Sequence, residues 1–348
     1  GLSFPGPPSS DQDQFSQELR IASPPASWGS YVLGAYYFEQ DIETSDTTVS
    51  EGFEIINVPG VTRNAQTDVN NKNSALFGEV NFIFAQDWQL TLGGRYTYDD
   101  LEYETRVVGT DGFIFPDEGE ASSSLDESDF SPKVAVQWDF SETAMTYLSY
   151  VSGYKGPAFD TSLFGAGLVV DPETSDAWEL GVKSSWFDNR LFLNVAVFYA
   201  EYDDFQSETV IDEDPDDLLP GNFVLINAGE VSTEGVEIEF IAQPTDYWSI
   251  TGGIAYTDGT IDDYPEGPCG AGQVFREECP PSNTQDLSGG QLPHTPEWKL
   301  NRSTDYTIPL ERIPVDVTLG ANLRSQDDVL YTISQDDFTW QDSYTVVD

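Results

Sequence analysis

Residues 178–199 read WELGVKSSWFDNRLFLNVAVFY, and their alternation decides the fold. Trp178, Leu180, Val182 and Trp186 fall on one face of an extended segment, while Glu179, Gly181, Lys183 and Ser185 fall on the other. The chain turns at Asp188–Asn189 and the pattern resumes. Leu191, Leu193, Val195, Val197 and Tyr199 share a face against Asn194 and Ala196. A period of two is that of a strand with one apolar and one polar face, and two such runs around a tight polar turn make a hairpin.

The same alternation continues in both directions. Upstream lie Leu76, Val80, Phe82 and Phe84, then Trp88, Leu90, Leu92, Tyr96 and Tyr98, then Val134, Val136, Trp138 and Phe140. Downstream, Val236, Ile238 and Phe240 oppose Gly235, Glu237 and Glu239, and Trp248, Ile250, Ile254 and Tyr256 oppose Ser249, Thr251, Gly253 and Thr257. Val315, Val317, Leu319 and Leu323 oppose Asp316, Thr318, Gly320, Asn322 and Arg324. Ala144–Lys155 is a further strand, but its residues do not settle which face is which. The pattern predicts about thirteen strands and no amphipathic helix.

The connections alternate too. Short turns are expected at Ala85–Asp87, Ser141–Thr143, Asp188–Asn189, Pro244–Asp246 and Leu310–Arg312. Long polar loops are expected near Ile42–Asn73, Asp99–Ser128, Gly153–Thr174, Asp203–Asn227, Gly259–Glu297 and Ser325–Asp342. A soluble sandwich has no reason to place every long loop at one end, whereas an outer-membrane barrel does so, with short turns in the periplasm. Aromatic residues mark both ends of the apolar bands. Trp88, Trp138, Trp186 and Trp248 adjoin short turns, and Tyr96, Tyr98, Tyr199 and Tyr256 sit near the opposite ends. Rings with one apolar and one wet side suit a membrane–water interface. The expected fold is therefore all-β, a transmembrane antiparallel β-barrel. Its polar face, with Gln89, Arg95, Lys133, Lys183, Glu237, Glu239, Lys299 and Arg324, becomes the lumen. So many inward charges call for a large barrel, because a small one fills its interior with apolar side chains. Arg302 breaks the pattern by falling on the outward face.

Composition excludes other classes. The 348 residues carry 62 Asp+Glu against 14 Lys+Arg, a formal charge of −48. No cationic surface exists to displace counterions from nucleic acid, so no nucleic-acid partner is expected. A single His leaves little for a His-based metal site or a His-assisted nucleophile, so neither enzyme chemistry nor a cofactor is expected. No apolar run reaches the ~18 residues of a transmembrane helix. The chain opens on Gly1 without a signal-peptide pattern and is expected to be a mature or truncated piece. Cys269 and Cys279 lie close together in a Gly/Pro-rich stretch; a local disulfide implies an oxidising compartment, and the alternative is two free thiols in a loop.

The segments FSQELRIAS, YVLGAYYFEQD, ALFGEVNFIFAQDWQLTLGGRYTYD, SPKVAVQWDF, TYLSYVSGYKGPAFD, SDAWELGVKSSWFDNRLFLNVAVFYAEYDDFQ, NAGEVSTEGVEIEF and LPHTPEWKLNRSTDYTIPL, in this order and spacing, resemble the TonB-dependent receptors of Gram-negative outer membranes. The resemblance runs from about Phe15 to the end and covers the middle and later part of that family's 22-stranded barrel. It implies an outer-membrane active transporter for a scarce ligand, chiefly a ferric siderophore or other iron complex. It also implies a globular plug inside the barrel, through which the inner-membrane TonB complex delivers energy. Neither a plug nor closing strands are found here, so residues 1–348 are expected to form one partial barrel domain set in outer-membrane lipid. A passive porin-like channel is the alternative, and a secreted all-β binding protein is a third class.

Candidate contacts for a ligand lie in GYKGPAFD, where Tyr154, Lys155, Phe159 and Asp160 open a long outer loop; the same side chains can instead pack within the loop. Two loops are acidic, one holding Asp99, Asp100, Glu102, Glu104, Asp111, Asp117, Glu118, Glu120, Asp126 and Glu127, the other running from Glu201 to Asp217. Neither has the spacing of a calcium-binding loop, and a solvated surface is the expected role. Glu18 and Arg20 share a lumenal strand face, as do Glu237 and Glu239. His294, alone before a strand, is expected to cap a loop more than to ligate a metal.

Overall fold

The computed structural model describes residues 3–5, 9–50, 61–109, 119–160, 168–211, 222–280, 284–310 and 315–348. One antiparallel sheet runs through them. Ser3–Pro5 and Ser9–Ala22 both pair with Gly29–Ser50 and together make one edge. Each later strand then pairs with the next long strand along the chain. These are Val61–Ala85, Trp88–Gly109, Gly119–Ser141, Ala144–Lys155, Glu173–Trp186, Leu191–Asp203, Glu230–Thr245, Trp248–Asp263, Trp298–Leu310, Val315–Gln326 and Tyr344–Val347. The sheet is open among the described residues. Its two edges do not pair with each other.

Register explains why the sheet has two chemically different faces. One cross-strand row joins Phe82, Leu90, Val136, Leu148, Leu180, Val197, Val236, Tyr256 and Trp298. The adjacent row, one residue along each strand, joins Gln89, Gln137, Tyr147, Gly181, Ala196, Glu237, Ala255 and Lys299. A slip of one residue in any pair would exchange these faces, so burial of the apolar face in lipid fixes the register. The rows also settle Ala144–Lys155. Leu148 and Tyr150 stand beside Leu180 and Trp178 on the outward face, and Tyr147 and Ser149 point inward.

The outward apolar residues are open to the surroundings: Leu19 is 69% exposed, Leu76 66% and Leu319 59%. A continuous apolar face of this size is far beyond what water tolerates on a soluble protein. Aromatic pairs bound it. Trp88 and Trp138 stack at 5.3 Å beside the short turns, while Tyr150–Trp178 at 4.8 Å and Tyr256–Trp298 at 5.0 Å lie toward the other end. Trp88 to Tyr96 spans about 27 Å along the strand, or roughly 20 Å of height at the usual tilt, close to the apolar band of a membrane barrel. Among the described residues no helix is long and apolar enough to cross a membrane.

Short connections at residues 86–87, 142–143, 187–190 and 246–247 all lie at one end. Leu310–Arg312 falls partly outside the described residues. At the other end, two expected loops prove to be strand. Gly29–Ser50, Val61–Ala85, Trp88–Gly109 and Gly119–Ser141 run for 22, 25, 22 and 23 residues, so most of Ile42–Asn73 and Asp99–Ser128 is paired sheet. About 9–11 residues suffice to cross the membrane. The extensions are mostly polar, and their apolar residues change sides. In Trp88–Gly109, Leu101, Tyr103 and Val107 face inward and are buried, while Asp100, Glu102, Glu104 and Arg106 face outward, so the outward apolar pattern of the membrane band ends there. Their strand signal is the β-branched content at Thr44, Thr47, Thr67, Val69, Thr105 and Val107.

Candidate functional site

Packed apolar residues gather outside the membrane band, where the extended wall and the long loops meet. On the inner face of the wall, Leu101, Tyr103 and Phe159 form a buried cluster with Val69 and Leu125 against it. Phe159 belongs to the loop after Ala144–Lys155, so that loop folds inward over the wall. Its ring tilts on Tyr103 at 5.4 Å. Below it the Tyr154 hydroxyl donates to Asp99 Oδ2 at 2.8 Å, and Asn73 Nδ2 donates to Asp99 Oδ1 at 2.5 Å. Burial and the Asp99 carboxylate push the Tyr154 phenol well above its usual range. Lys155 Nζ lies 3.5 Å from Glu173 Oε2 and remains half exposed. Asp160 is buried. The structure thus brings Tyr154 and Phe159 against the wall, buries Asp160 and leaves Lys155 half exposed. Asp99, expected in an acidic loop, is instead the strand residue that anchors this contact. Its strand parity with Gln89, Thr91 and Thr97 marks it as inward-facing.

The remaining long loops build a second body on the outer end. Ala228, Val231, Ile261, Leu287, Leu292 and Ile333 form its core, with Tyr202, Phe205 and Tyr264 packed around it. The loop after Trp248–Asp263 carries a five-residue helix, Ala271–Phe275, and a disulfide between Cys269 and Cys279, whose Cα atoms are 6.1 Å apart. Arg276 joins this loop to the loop that follows Val315–Gln326. Its Nη2 donates to buried Asp336 at 2.9 Å, and its guanidinium sits 4.6 Å from the Phe338 ring. Asp336 and Glu278 hold the Arg276 pKa above its ordinary value. Gln335 Nε2 donates to the Gln291 carbonyl at 2.8 Å, closing the contact. Burial alone pushes the Tyr264 phenol up to about 12. Phe275 and Phe338 stay exposed on the tip.

The lumenal face is charged along its height. Lys133 pairs with Glu79 at 2.8 Å, and Glu18 pairs with Arg20. Tyr147 donates to Glu179 Oε1 at 2.5 Å, and Lys183 lies 5.5 Å from the Tyr147 ring. These residues, with Asn194, Glu237 and Glu239, line a recess of about 150 Å³. The expected lumenal residues Lys133, Lys183, Glu237 and Glu239 therefore share one surface, facing the barrel interior. Carboxylates outnumber the cation in this recess, so it suits a basic partner.

No group of three His, Cys, Asp or Glu among the described residues is arranged to hold a metal ion. Asp111, Asp117 and Glu118, and Asp212 to Asp217, lie outside the described residues. His294 has a left-handed backbone, φ 61°, and its N–H donates to the Leu330 carbonyl at 2.8 Å; its ring meets Tyr331 edge-on at 5.1 Å. It ties two loops together.

Comparison with known proteins gives a consistent picture. The family model described as TonB dependent receptor-like, beta-barrel matches residues 3–348. A probable TonB-dependent siderophore receptor, PiuA of Acinetobacter baumannii, is 24% identical over 289 residues, covering 81% of this chain and 34% of that protein. A ferric-pyoverdine 358 receptor of Pseudomonas putida is 24% identical over 290 residues, 81% of this chain and 30% of that protein. The chain thus spans about a third of these curated relatives. Among solved structures, the ferric yersiniabactin uptake receptor FyuA of Yersinia pestis superposes with a TM-score of 0.75 at 16% identity, over 98% of this chain and 46% of that one. The siderophore receptor PiuA of A. baumannii gives 0.69 at 19% identity, over 98% and 49%. These likenesses show the fold.

Proposed function

Because this chain belongs to the TonB dependent receptor-like β-barrel family, we propose that it is part of the wall of an outer-membrane receptor that takes up an iron complex. The family places it in the outer membrane of a Gram-negative cell and among transport receptors, not enzymes. The observation that carries the reading is the family match along residues 3–348, which coincides with a sheet whose outer face is apolar and whose inner face is charged. The siderophore receptor and the ferric-pyoverdine receptor among the matched relatives are named for siderophores, which supports iron-chelate cargo.

Residues 1–348 act as one partial barrel domain, and further strands of the longer protein pair with its two edges, since unpaired edges are not tolerated in lipid. The acidic lumenal recess at Glu179, Glu237 and Glu239 receives basic side chains of an internal plug domain, and the TonB complex of the inner membrane acts through that plug. Tyr154 and Phe159 hold the loop after Ala144–Lys155 on the wall, and Lys155 is the residue left to touch cargo.

The test is uptake of ⁵⁵Fe bound to siderophores by a strain that lacks its own receptors and carries the full-length gene, with and without an intact TonB system. Accumulation that requires TonB is expected. Accumulation independent of TonB and of the proton-motive force would make the protein a passive porin-like channel. No accumulation of any iron chelate would refute the iron reading.

A further inference from the structure

Phe205 and Gln206 adjoin in the chain and serve different neighbours. Phe205 packs on the apolar core of the outer body, against Ala228, Ile261 and their partners. Gln206 opens the hairpin Gln206–Ile211 with Asn222–Asn227, is 6% exposed, and meets the loop that follows Ala144–Lys155. Its Nε2 donates to the Gly156 carbonyl and to the Asp171 carbonyl, each at 2.9 Å. Those carbonyls stand at the two ends of that loop's neck, so one amide closes the neck with its two N–H groups. The Gln206 backbone N–H donates to Glu173 Oε2 at 2.8 Å, the oxygen that also pairs with Lys155. Asn227, opposite Gln206 in the hairpin, grips the same place. Its Oδ1 accepts from the Asp171 N–H at 2.8 Å, and its Nδ2 donates to the carbonyls of Asp171 at 3.0 Å and Asp204 at 2.8 Å.

This polar clamp joins two bodies that are built on separate apolar clusters. On the wall side, the loop is seated by Phe159 on Tyr103 and by Tyr154 on Asp99. On the other side, the core around Ala228 and Ile261 takes Leu287 and Leu292 from the loop after Trp248–Asp263 and Ile333 from the loop after Val315–Gln326. Those two loops are tied again by Arg276 with Asp336, and by Gln285 Nε2, which donates to the Ser334 carbonyl at 2.9 Å. A continuous line of contacts therefore runs from the wall, through Gln206, to the far loops. Pulling Gln206 away leaves the Gly156 carbonyl and the nearly buried Glu173 carboxylate each short of a donor. A buried polar group without its partner costs more than the bond itself contributes, so partial opening at the clamp is disfavoured. Parts joined in this way open together as one local unit.

We propose that the long loops after Ala144–Lys155, Leu191–Asp203, Trp248–Asp263 and Val315–Gln326 open as one cooperative lid, and that Gln206 couples the wall-anchored loop to the rest. The inference goes beyond the uptake reading and holds whatever the receptor carries. Its consequence is a lid that responds whole. A contact made at the exposed rings of Phe275 or Phe338 on the tip changes the hold of Phe159 on the wall. Gln206 is a positioning residue in this scheme, since it acts through the loops it ties.

The experiment is amide hydrogen exchange on the full-length receptor in bilayers, without cargo, so its result stands apart from the uptake test. Four hydrogen-bonded amides report, one from each loop: Asp171, Phe205, Leu287 and Tyr331. The variants are Phe159→Ala, Gln206→Ala and the two combined. Phe159→Ala alone, which loosens only the wall contact, is expected to speed exchange at all four amides, by roughly tenfold at Leu287 and Tyr331. Added to Gln206→Ala, the same change is expected to speed Asp171 and no longer to reach Leu287 and Tyr331. If Phe159→Ala leaves Leu287 and Tyr331 unchanged in the otherwise native protein, the loops are independent and the proposal is overturned. Transmission that survives Gln206→Ala also overturns it, because another contact then couples the loops. Should Gln206→Ala fail to assemble, Asn227→Ala, which removes the other grip on Asp171, takes its place under the same two criteria.

Discussion

At the scale of single residues, position relative to water decides what each polar group does. Tyr264 lies in the outer loop body, and burial raises its pKa from 10.0 to about 12. The folded state then holds this proton more tightly than the unfolded one, so the associated stability is intact below pH 10 and is lost as pH climbs toward 12. Ultraviolet titration should show a late-ionising phenol that disappears in Tyr264→Phe, with the outer loops loosening over the same interval; a phenol titrating at 10 in the folded protein would contradict the burial. Arg302 poses the opposite problem. It stands on the outward face, opposite Gly252 and Leu323 and between Trp298 and Tyr306, without an ion pair among the described residues. An arginine on a barrel's lipid face costs about 2–4 kcal/mol at the midplane and little near an interface. Arg302→Leu in the full receptor should therefore raise its unfolding free energy by about 2 kcal/mol in denaturant titrations in bilayers. A loss of stability would mean that the guanidinium has a membrane partner.

At the scale of elements, stability is divided between lipid and loop. The spanning strands have few buried side chains, and their apolar face is satisfied by hydrocarbon. The outer elements pack like a small soluble protein, with closed apolar clusters. The loop after Ala144–Lys155 hangs on Phe159 and on the Tyr154–Asp99 bond. Phe159→Ala removes the aromatic plug of that cluster, a change that costs about 3–5 kcal/mol in a full core and less at a part-exposed loop. It should open the loop to proteases on intact cells while leaving barrel assembly unchanged. Continued resistance would show that the loop is held elsewhere. Parity was the readable part of these elements: Leu101 and Tyr103 continue the inward phase of Gln89 and Thr91. Their burial was not readable, because it depends on a loop arriving from more than fifty residues away.

At the scale of the whole molecule, the wall separates three environments. Cysteines placed at Leu193 and Val195 should react with lipid-phase reagents, and one at Asn194, between them, only with aqueous reagents entering the lumen. Aqueous reaction at all three positions would refute the orientation. The charge distribution follows the same partition. Carboxylates crowd the outer extensions and parts of the lumen, while the outward band carries almost none, since a charge there has no water to solvate it.

The sequence by itself determined the strand periodicity, the two faces, the alternation of short and long connections and the family, because each is a local pattern repeated many times and lipid on one side enforces it. The ends of the first long strands were hidden, because beyond the membrane band most residues are polar and the apolar ones switch from the lipid face to the lumenal face. Only the tertiary structure decided that Tyr154 and Phe159 anchor a loop on Asp99 and Tyr103, that Arg276 and Asp336 weld two loops, and that Gln206 closes the neck of a third. Those contacts join residues that are distant in the chain, and cross-strand register, which a single strand does not contain, is what brings them together.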